Sequence, residues 1–415
     1  MPDPSPYRDL LQIVGERPRK LATVSEVLTT DEELADLIDE IRADRFVTFD
    51  TEFVSESFYR PKLCLLQFGT LSRCVAVDPF TLGSLTPVWD ILTEPSIVKL
   101  VHGGREEIRF CLRAAGRVAN VIDIQVAQGF LGRSFPMAYK AIAAKTIGVQ
   151  ISTHETRTDW SRRPLSSAQI RYALEDVEHL LPIAMHQAER LSQLGRTAWA
   201  EEEFERLVET VATEPGRDTF LRVSGVHRLR GVELAIADAL HEYRRDEAER
   251  LNKPVKHVLR DDLLVDIARR QPKSRSDLFH TRGVSRKLNN ESAERVVELV
   301  ADAKGRPKSE WPRLPRPPKA GPGDETLVKL LGLALSDRCA KLDIAMSLVG
   351  SQSDIADVVR HHAGNASDDG TPKLLQGWRR EVCGSMLADL LEGRVGIRVR
   401  DARKADPLLF ESVGE

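Results

Sequence analysis

The stretch Phe46-Val47-Thr48-Phe49-Asp50-Thr51-Glu52-Phe53 ends an apolar run with two carboxylates two residues apart. In a β-strand, positions i and i+2 point to the same face. A strand through Phe46–Asp50 therefore projects Asp50 and Glu52 together from one sheet edge. Neighbouring like charges repel unless a cation lies between them or one takes up a proton. Such a strand either ends at solvent or forms half of a divalent-metal site.

A second acidic element favours the metal site. In Gln169-Ile170-Arg171-Tyr172-Ala173-Leu174-Glu175-Asp176-Val177 the apolar residues Ile170, Ala173, Leu174, Val177 and Leu180-Leu181 recur with helical spacing. Tyr172 and Asp176, four residues apart, then lie one turn apart on the same face. Between the two elements, the spacing predicts strands at Leu63–Phe68, Val75–Val77 and Val98–His102. It predicts helices near Asp31–Ile38, with Thr29, Thr30 and Asp31 as cap candidates, over Leu85–Leu92, and from Glu106 to about Ala115. Strands followed by alternating strands and helices argue a mixed α/β sheet with helices on its faces. Asp50, Glu52, His102 and Asp123 all fall at or just beyond strand-like runs, where open α/β sheets bind ligands.

Beyond Leu180 the pattern becomes all-helical, with a compact module over about Arg217–Ala303 and another over about Asp324–Leu391. Between them, Gly305 to Gly323 is dense in proline and reads as a semi-rigid linker. At 415 residues with 41% hydrophobic content the chain can build two or three domains. The formal charge of −3 excludes a uniformly basic nucleic-acid binder, although Lys304–Lys319 is basic apart from Glu310. A local basic groove is sufficient for RNA. Five scattered cysteines include no Cys-x-x-Cys zinc pair. The N-terminus lacks the apolar core of a signal peptide, and no run approaches the roughly 20 apolar residues of a membrane span. A cytoplasmic protein with reduced cysteines is expected.

The order Asp50-Thr51-Glu52-Phe53, then His102-Gly103-Gly104-Arg105-Glu106-Glu107, then Tyr172-x-x-x-Asp176 resembles the DEDD-type 3′→5′ exonucleases with a tyrosine in the third motif. The segments Tyr59–Gln67, Val121–Gln125, Thr158–Leu165 and Gly377-Trp378-Arg379-Arg380-Glu381 resemble the ribonuclease D family, and Asn252–Pro272 resembles an HRDC domain. The resemblance implies a ribonuclease H-like α/β exonuclease domain over 1–212 and an HRDC domain over 213–303. A Pro-rich basic linker over 304–323, a second HRDC-like helical domain over 324–395 and a loosely held tail over 396–415 follow. It also implies a monomer with two Mg²⁺ or Mn²⁺ ions that trims the single-stranded 3′ ends of tRNA and other structured RNA precursors.

Carried onto this sequence, the family motif makes Asp50, Glu52, Glu107 and Asp176 the metal ligands. Asp50 would serve both ions, Glu52 and Asp176 would complete one, and Glu107 would hold the second partly through water. Tyr172 would orient the attacking water. Phe53, Gln67, His102 and Arg162 are candidate RNA contacts, and Asp123 is a candidate supporting group. Arg157 and Arg163 beside Trp160, and Arg244, Arg245, Lys253, Lys256 and Arg260 in the first helical module, are candidates for phosphates. The family usually carries Asp in the slot of Glu107, whose side chain is one methylene longer. Two other readings follow from that departure and from motifs that do not inspect the 2′-hydroxyl. One is an RNA-binding protein with weakened catalysis, the other a DNA 3′-end exonuclease.

Overall fold

The computed structural model describes residues 5–15, 22–151, 158–214, 219–284, 289–314, 321–364, 370–403 and 407–413. Six strands form the sheet of the first compact unit: β1 (Ala22–Leu28), β2 (Phe46–Val54), β3 (Lys62–Gly69), β4 (Arg73–Val77), β5 (Val98–Val101) and β6 (Val121–Asp123). Their order across the sheet is β1-β4-β3-β2-β5-β6. β1 runs parallel to β4, β3 antiparallel to β4, and β2, β5 and β6 are mutually parallel neighbours. The sheet is therefore mixed. Its parallel half brings the carboxyl ends of β2, β5 and β6 together, and the motif residues of all three strands gather at that edge.

Local chemistry fixes the elements that hold this edge. The Asp31–Asp44 helix starts at a reciprocal cap, in which Thr30 Oγ1 accepts from the Glu33 amide while the Glu33 carboxylate accepts from the Thr30 amide. It packs Leu34, Leu37, Ile38 and Ile41 inward and delivers the chain into β2. Phe46, Val47 and Phe49 are buried in β2, with the Phe49 ring stacked on Phe68 of β3 at 5.2 Å. The Ser167–Glu178 helix begins with the same device, Ser166 and Gln169 capping each other. An opening helix at Pro6–Gly15 and strand β1 precede the elements expected from sequence.

The chain divides into two compact units that do not follow the linear domain order. One comprises residues 1–52, 64–212 and 318–415, and the other comprises 53–63 and 213–317. The second unit packs Val226, Leu229, Ile236, Leu240, Leu264, Ile267, Val296 and Val300 into one core, against which Tyr59, Trp311 and Leu314 also lie. Within it, the Asn290–Gly305 helix runs into the segment expected as linker. Trp311 and Leu314 anchor the next stretch because large apolar side chains find an open core beside them. In the first unit, the stretch expected as a loose tail contains the hairpin β7 (Val395–Val399) and β8 (Leu408–Ser412). Its apolar Ile397 and Phe410 pair across the strands, Arg398 bridges to Glu411, and Lys341 lies over the Phe410 ring. No helix among the described residues is long and apolar enough to cross a membrane.

Candidate active site

Asp50 and Glu52 lie on β2 and are half-buried, with the buried Thr51 between them. Thr51 Oγ1 donates to Glu107 Oε1 at 2.6 Å. Glu107 sits in the first turns of the Arg105–Ala115 helix and is only 6% exposed. The neighbouring Glu106 instead pairs with Arg109 on its own helix. Tyr172 and Asp176 lie on the Ser167–Glu178 helix, one turn apart and hydrogen-bonded to each other.

The electrostatics tie these residues into one cluster. Burial, followed by repulsion from Glu107, Asp176 and Glu52, raises the Asp50 carboxyl well above its ordinary range. Burial and the charges of Asp176 and Glu107 push Glu52 up to about 8. Burial raises Glu107 to about 7 against the pull of the Thr51 hydrogen bond. Burial, with Glu175 beside it, raises Asp176 to about 7 against the pull of Tyr172. Among the described residues none of the four carboxylates forms an ion pair with Lys or Arg. Four hard oxygen donors that mutually resist ionisation, with no counter-charge among the described residues, fit a divalent cation. Among the described residues no three His, Cys, Asp or Glu side chains already stand close enough to enclose an ion.

Two residues outside the motif hold the cluster in place. Asp123 accepts from the amides of Gly103 and Gly104 at 3.0 Å each and from the Gln125 amide at 2.8 Å. It thereby grips the turn that leads from β5 into the Glu107 helix. That turn requires glycine: Gly103 has φ +61°, and a Cβ on Gly104 would strike Val101. Tyr139, whose hydroxyl donates to the Glu175 carbonyl and accepts from the His179 amide, staples the end of the helix around Asp176. The position of Asp123 at a strand end is visible in the sequence. Thr51 and Tyr139 carry no such signal, because their partners are 56 and 36–40 residues away.

The remaining candidates separate. His102 Nε2 lies 3.0 Å from the Met137 carbonyl and 3.3 Å from Gln125 Nε2, and its ring packs on Tyr139. Phe53 continues β2 and is half-buried. Arg162 is exposed and, among the described residues, bridges only to the nearby Asp159. Gln67 does not reach a ligand: β3 is covered on both faces from Cys64 to Gly69, and Gln67 is 0% exposed. Arg163 is also committed, to Asp78, to the Trp160 and Cys64 carbonyls and to the face of Phe80. Trp160 is buried, and Arg157 lies outside the described residues. In the second unit Arg244 is 1% exposed and pairs with Asp261, so burial removes it from any phosphate path. Arg245 and Arg260 pair with Asp246 and Asp262, and Lys256 with Asp261.

Comparison with known proteins extends the likeness across the chain. A family model described as 3′-5′ exonuclease matches residues 25–191, and one described as HRDC domain matches residues 233–300. Ribonuclease D of Acidiphilium cryptum is 33% identical over 385 residues, 91% of this chain and 95% of that protein. Ribonuclease D of Gluconacetobacter diazotrophicus is 32% identical over 380 residues, with the same coverage of both chains. Among solved structures, Escherichia coli RNase D, described as an exoribonuclease involved in structured RNA processing, superposes with a TM-score of 0.77 at 27% identity. That match covers 88% of this chain and 98% of the other. Similarity of this extent, together with an acidic cluster that calls for a divalent cation, settles the identity: the chain belongs to the ribonuclease D family and is a hydrolytic 3′→5′ exoribonuclease.

Proposed function

We propose that the chain acts as a monomer to trim 3′ ends of tRNA and other structured RNA precursors, using two Mg²⁺ or Mn²⁺ ions. The observation that carries this reading is the set Asp50, Glu52, Glu107 and Asp176, electrostatically linked beside Tyr172 with no counter-charge among the described residues. The structured-RNA substrate is supported by the RNase D of E. coli, whose fold this chain shares nearly end to end. Five free cysteines, all buried, fit a reducing compartment, and we place the enzyme in the cytoplasm.

In this reading Asp50 would serve both ions, Glu52 and Asp176 would help hold one, and Glu107 would help hold the other. When bound, the ions supply an acidified water and neutralise charge at the scissile phosphate. Tyr172 contributes orientation. Burial, and then the neighbouring charge of Asp176, raise its phenol above the ordinary range, so it stays protonated and donates a hydrogen bond. It is thereby excluded as the base. Phe53 and His102 border the motif residues on β2 and β5 and are assigned to the terminal nucleotide, and Arg162 to the outer backbone.

The test is hydrolysis of a 3′-tailed RNA by the full chain in Mg²⁺ and in Mn²⁺, beside the Asp50→Asn variant. The expected loss in the variant is at least about a thousand-fold. A wild type no faster than Asp50→Asn would reduce the protein to an RNA-binding scaffold. A matched DNA of the same sequence checks the choice of RNA. Glu107→Asp probes the departure from the family pattern. Because Thr51 holds the longer carboxylate at 2.6 Å, shortening it should lower the Mg²⁺-dependent rate several-fold. A sharply raised rate would show instead that the natural glutamate is detuned.

A further inference from the structure

A cavity of about 390 Å³ lies within the first unit, away from the carboxylate cluster. It is lined by Gln128 and Lys145 of the catalytic fold, by His186, Arg190 and Arg196, and by Asp343 at the end of the Asp324–Leu342 helix. Its volume falls within the roughly 300–1,000 Å³ of small-ligand sites. Three constant cations surround it, and its one carboxylate, Asp343, is already bridged by Arg133 at 3.3 Å.

These groups are positioned by rigid parts of the fold. His186 and Arg190 are four residues apart on the Leu180–Gln193 helix and share a face. Arg196 is 7% exposed and fixed by the Phe130 carbonyl at 2.7 Å and the Leu342 carbonyl at 2.6 Å. Gln128 is 2% exposed, and its Oε1 accepts from Gln187 Nε2, which leaves its own Nε2 without a partner among the described residues. Lys145 and His186 likewise make no hydrogen bond or ion pair with any described residue. A methyl group on Gly132 would lie 2.9 Å from Lys145 Nζ and 3.9 Å from Gln128 Nε2. The two nitrogens therefore converge beside a residue that has no side chain to fill the space.

We propose that this cavity binds a phosphate-bearing group, held by Lys145, Arg190 and Gln128 Nε2 with His186 at its edge. Clustered donors with uncompensated positive charge match phosphate oxygens, which accept several charge-assisted hydrogen bonds at once. The catalytic centre has the opposite electrostatic character, four carboxylates with no cation paired to them among the described residues. The two sites can therefore engage one polyanion at different points: the cavity holds a phosphate directly, while the carboxylates need metal to do so. The phosphate can belong to the RNA backbone upstream of the 3′ end, which rests on the function proposed above, or to a free nucleotide.

The experiment uses the full chain in EDTA, with Lys145→Gln/Arg190→Gln beside the wild type. One arm titrates AMP by calorimetry. The other follows a 5′-fluorescein-labelled single-stranded RNA by anisotropy across a salt series. The double variant should weaken the ligand that uses the cavity by roughly ten-fold. If that ligand is RNA, the salt slope should also fall by about 1.4, for two contacts at ~0.7 each. Loss of AMP binding alone assigns the cavity to a free nucleotide, and loss of RNA binding assigns it to the backbone. Lys145→Arg should retain affinity. Both altered side chains are exposed, so an unchanged thermal transition is expected, and Lys145→Gln alone carries the test if the double variant melts early. Cleavage of a dinucleotide in Mg²⁺, with the Asp50→Asn control, reports the catalytic centre separately and should change less than two-fold. Unaltered AMP and RNA affinities together with an unaltered salt slope, or a wild type that binds neither, overturn the proposal.

Discussion

The two helical regions use the same device for opposite ends. Each buries an arginine that is 1% exposed against a carboxylate: Arg244 with Asp261 in the HRDC region, Arg379 with Glu203 in the C-terminal region. The first pair closes a region on itself, since both partners lie within the unit formed by residues 53–63 and 213–317. The second joins the C-terminal region to the catalytic fold. Arg379 also donates to the Val349 and Leu348 carbonyls, while Trp378 packs on Phe130 at 4.8 Å and donates to Glu203. The backbone follows suit, with the Ala345 amide donating to the Gly129 carbonyl. Where a buried charge finds its partner therefore marks which helical region is knit into the catalytic unit and which is closed by its own contacts.

The sharpest way to break this contrast is Arg379→Ala. Removing one partner of a buried pair costs about 3–5 kcal/mol. Scanning calorimetry with a parallel activity assay should show the catalytic transition and RNA hydrolysis failing together. Arg244→Ala removes an equally buried charge at a cost of about 3 kcal/mol, but only in the HRDC unit. That unit should melt first, with dinucleotide hydrolysis preserved below the second transition. A single merged transition in both variants would dissolve the contrast.

A smaller effect comes from pH. In metal-stripped protein Glu52 titrates near 8, and Glu107 and Asp176 near 7. In the unfolded chain such carboxyls titrate near 4. Between these limits the folded state holds protons that the unfolded state has released. The contribution to stability is complete below about pH 4 and is lost as pH rises through the folded values. Between pH 5 and 7 the catalytic transition should fall by several degrees in EDTA while the HRDC transition moves less, and Mg²⁺ should reduce the fall. Above pH 7 buried Lys99, depressed to about 7, acts with the opposite sign, which defines the useful window. The mildest perturbation is Trp199→Phe, which removes the exposed hydrogen bond to Glu381. It should lower only the catalytic transition, by about 0.5–1.5 kcal/mol.

Much of this was legible in the sequence because it is local. The Asp50–Glu52 pair follows from strand periodicity and Tyr172–Asp176 from helical periodicity, and the cap candidates Thr29, Thr30 and Asp31 include the Thr30 that caps the helix. Local pattern shows what a residue is able to do but not what it meets. It marked Gln67 as strand-borne and polar without revealing that both faces of β3 are covered. It marked Arg163 and Arg244 as basic without revealing Asp78 and Asp261. The roles of Thr51 and Tyr139, and the grip of Gly377-Trp378-Arg379 on Glu202 and Glu203, depend on contacts across tens to hundreds of residues. At Gly377, φ is +47° and a Cβ would strike the Glu202 carboxylate. This explains why glycine opens that motif, but only once both segments are seen together.

The short passage 53–63 has a practical consequence. It begins with the last two residues of the catalytic strand, packs Tyr59 against the HRDC core and bridges Arg60 to Glu249 before returning as β3. The HRDC unit is therefore stitched into the chain at two separate places. A truncation that excises only residues 213–317 would strand an apolar flap on the very strand that carries Asp50 and Glu52. Loss of activity in such a deletion would report a damaged catalytic strand as readily as a missing RNA-binding module. A clean excision must also replace the loop 55–61 between β2 and β3 with a short turn.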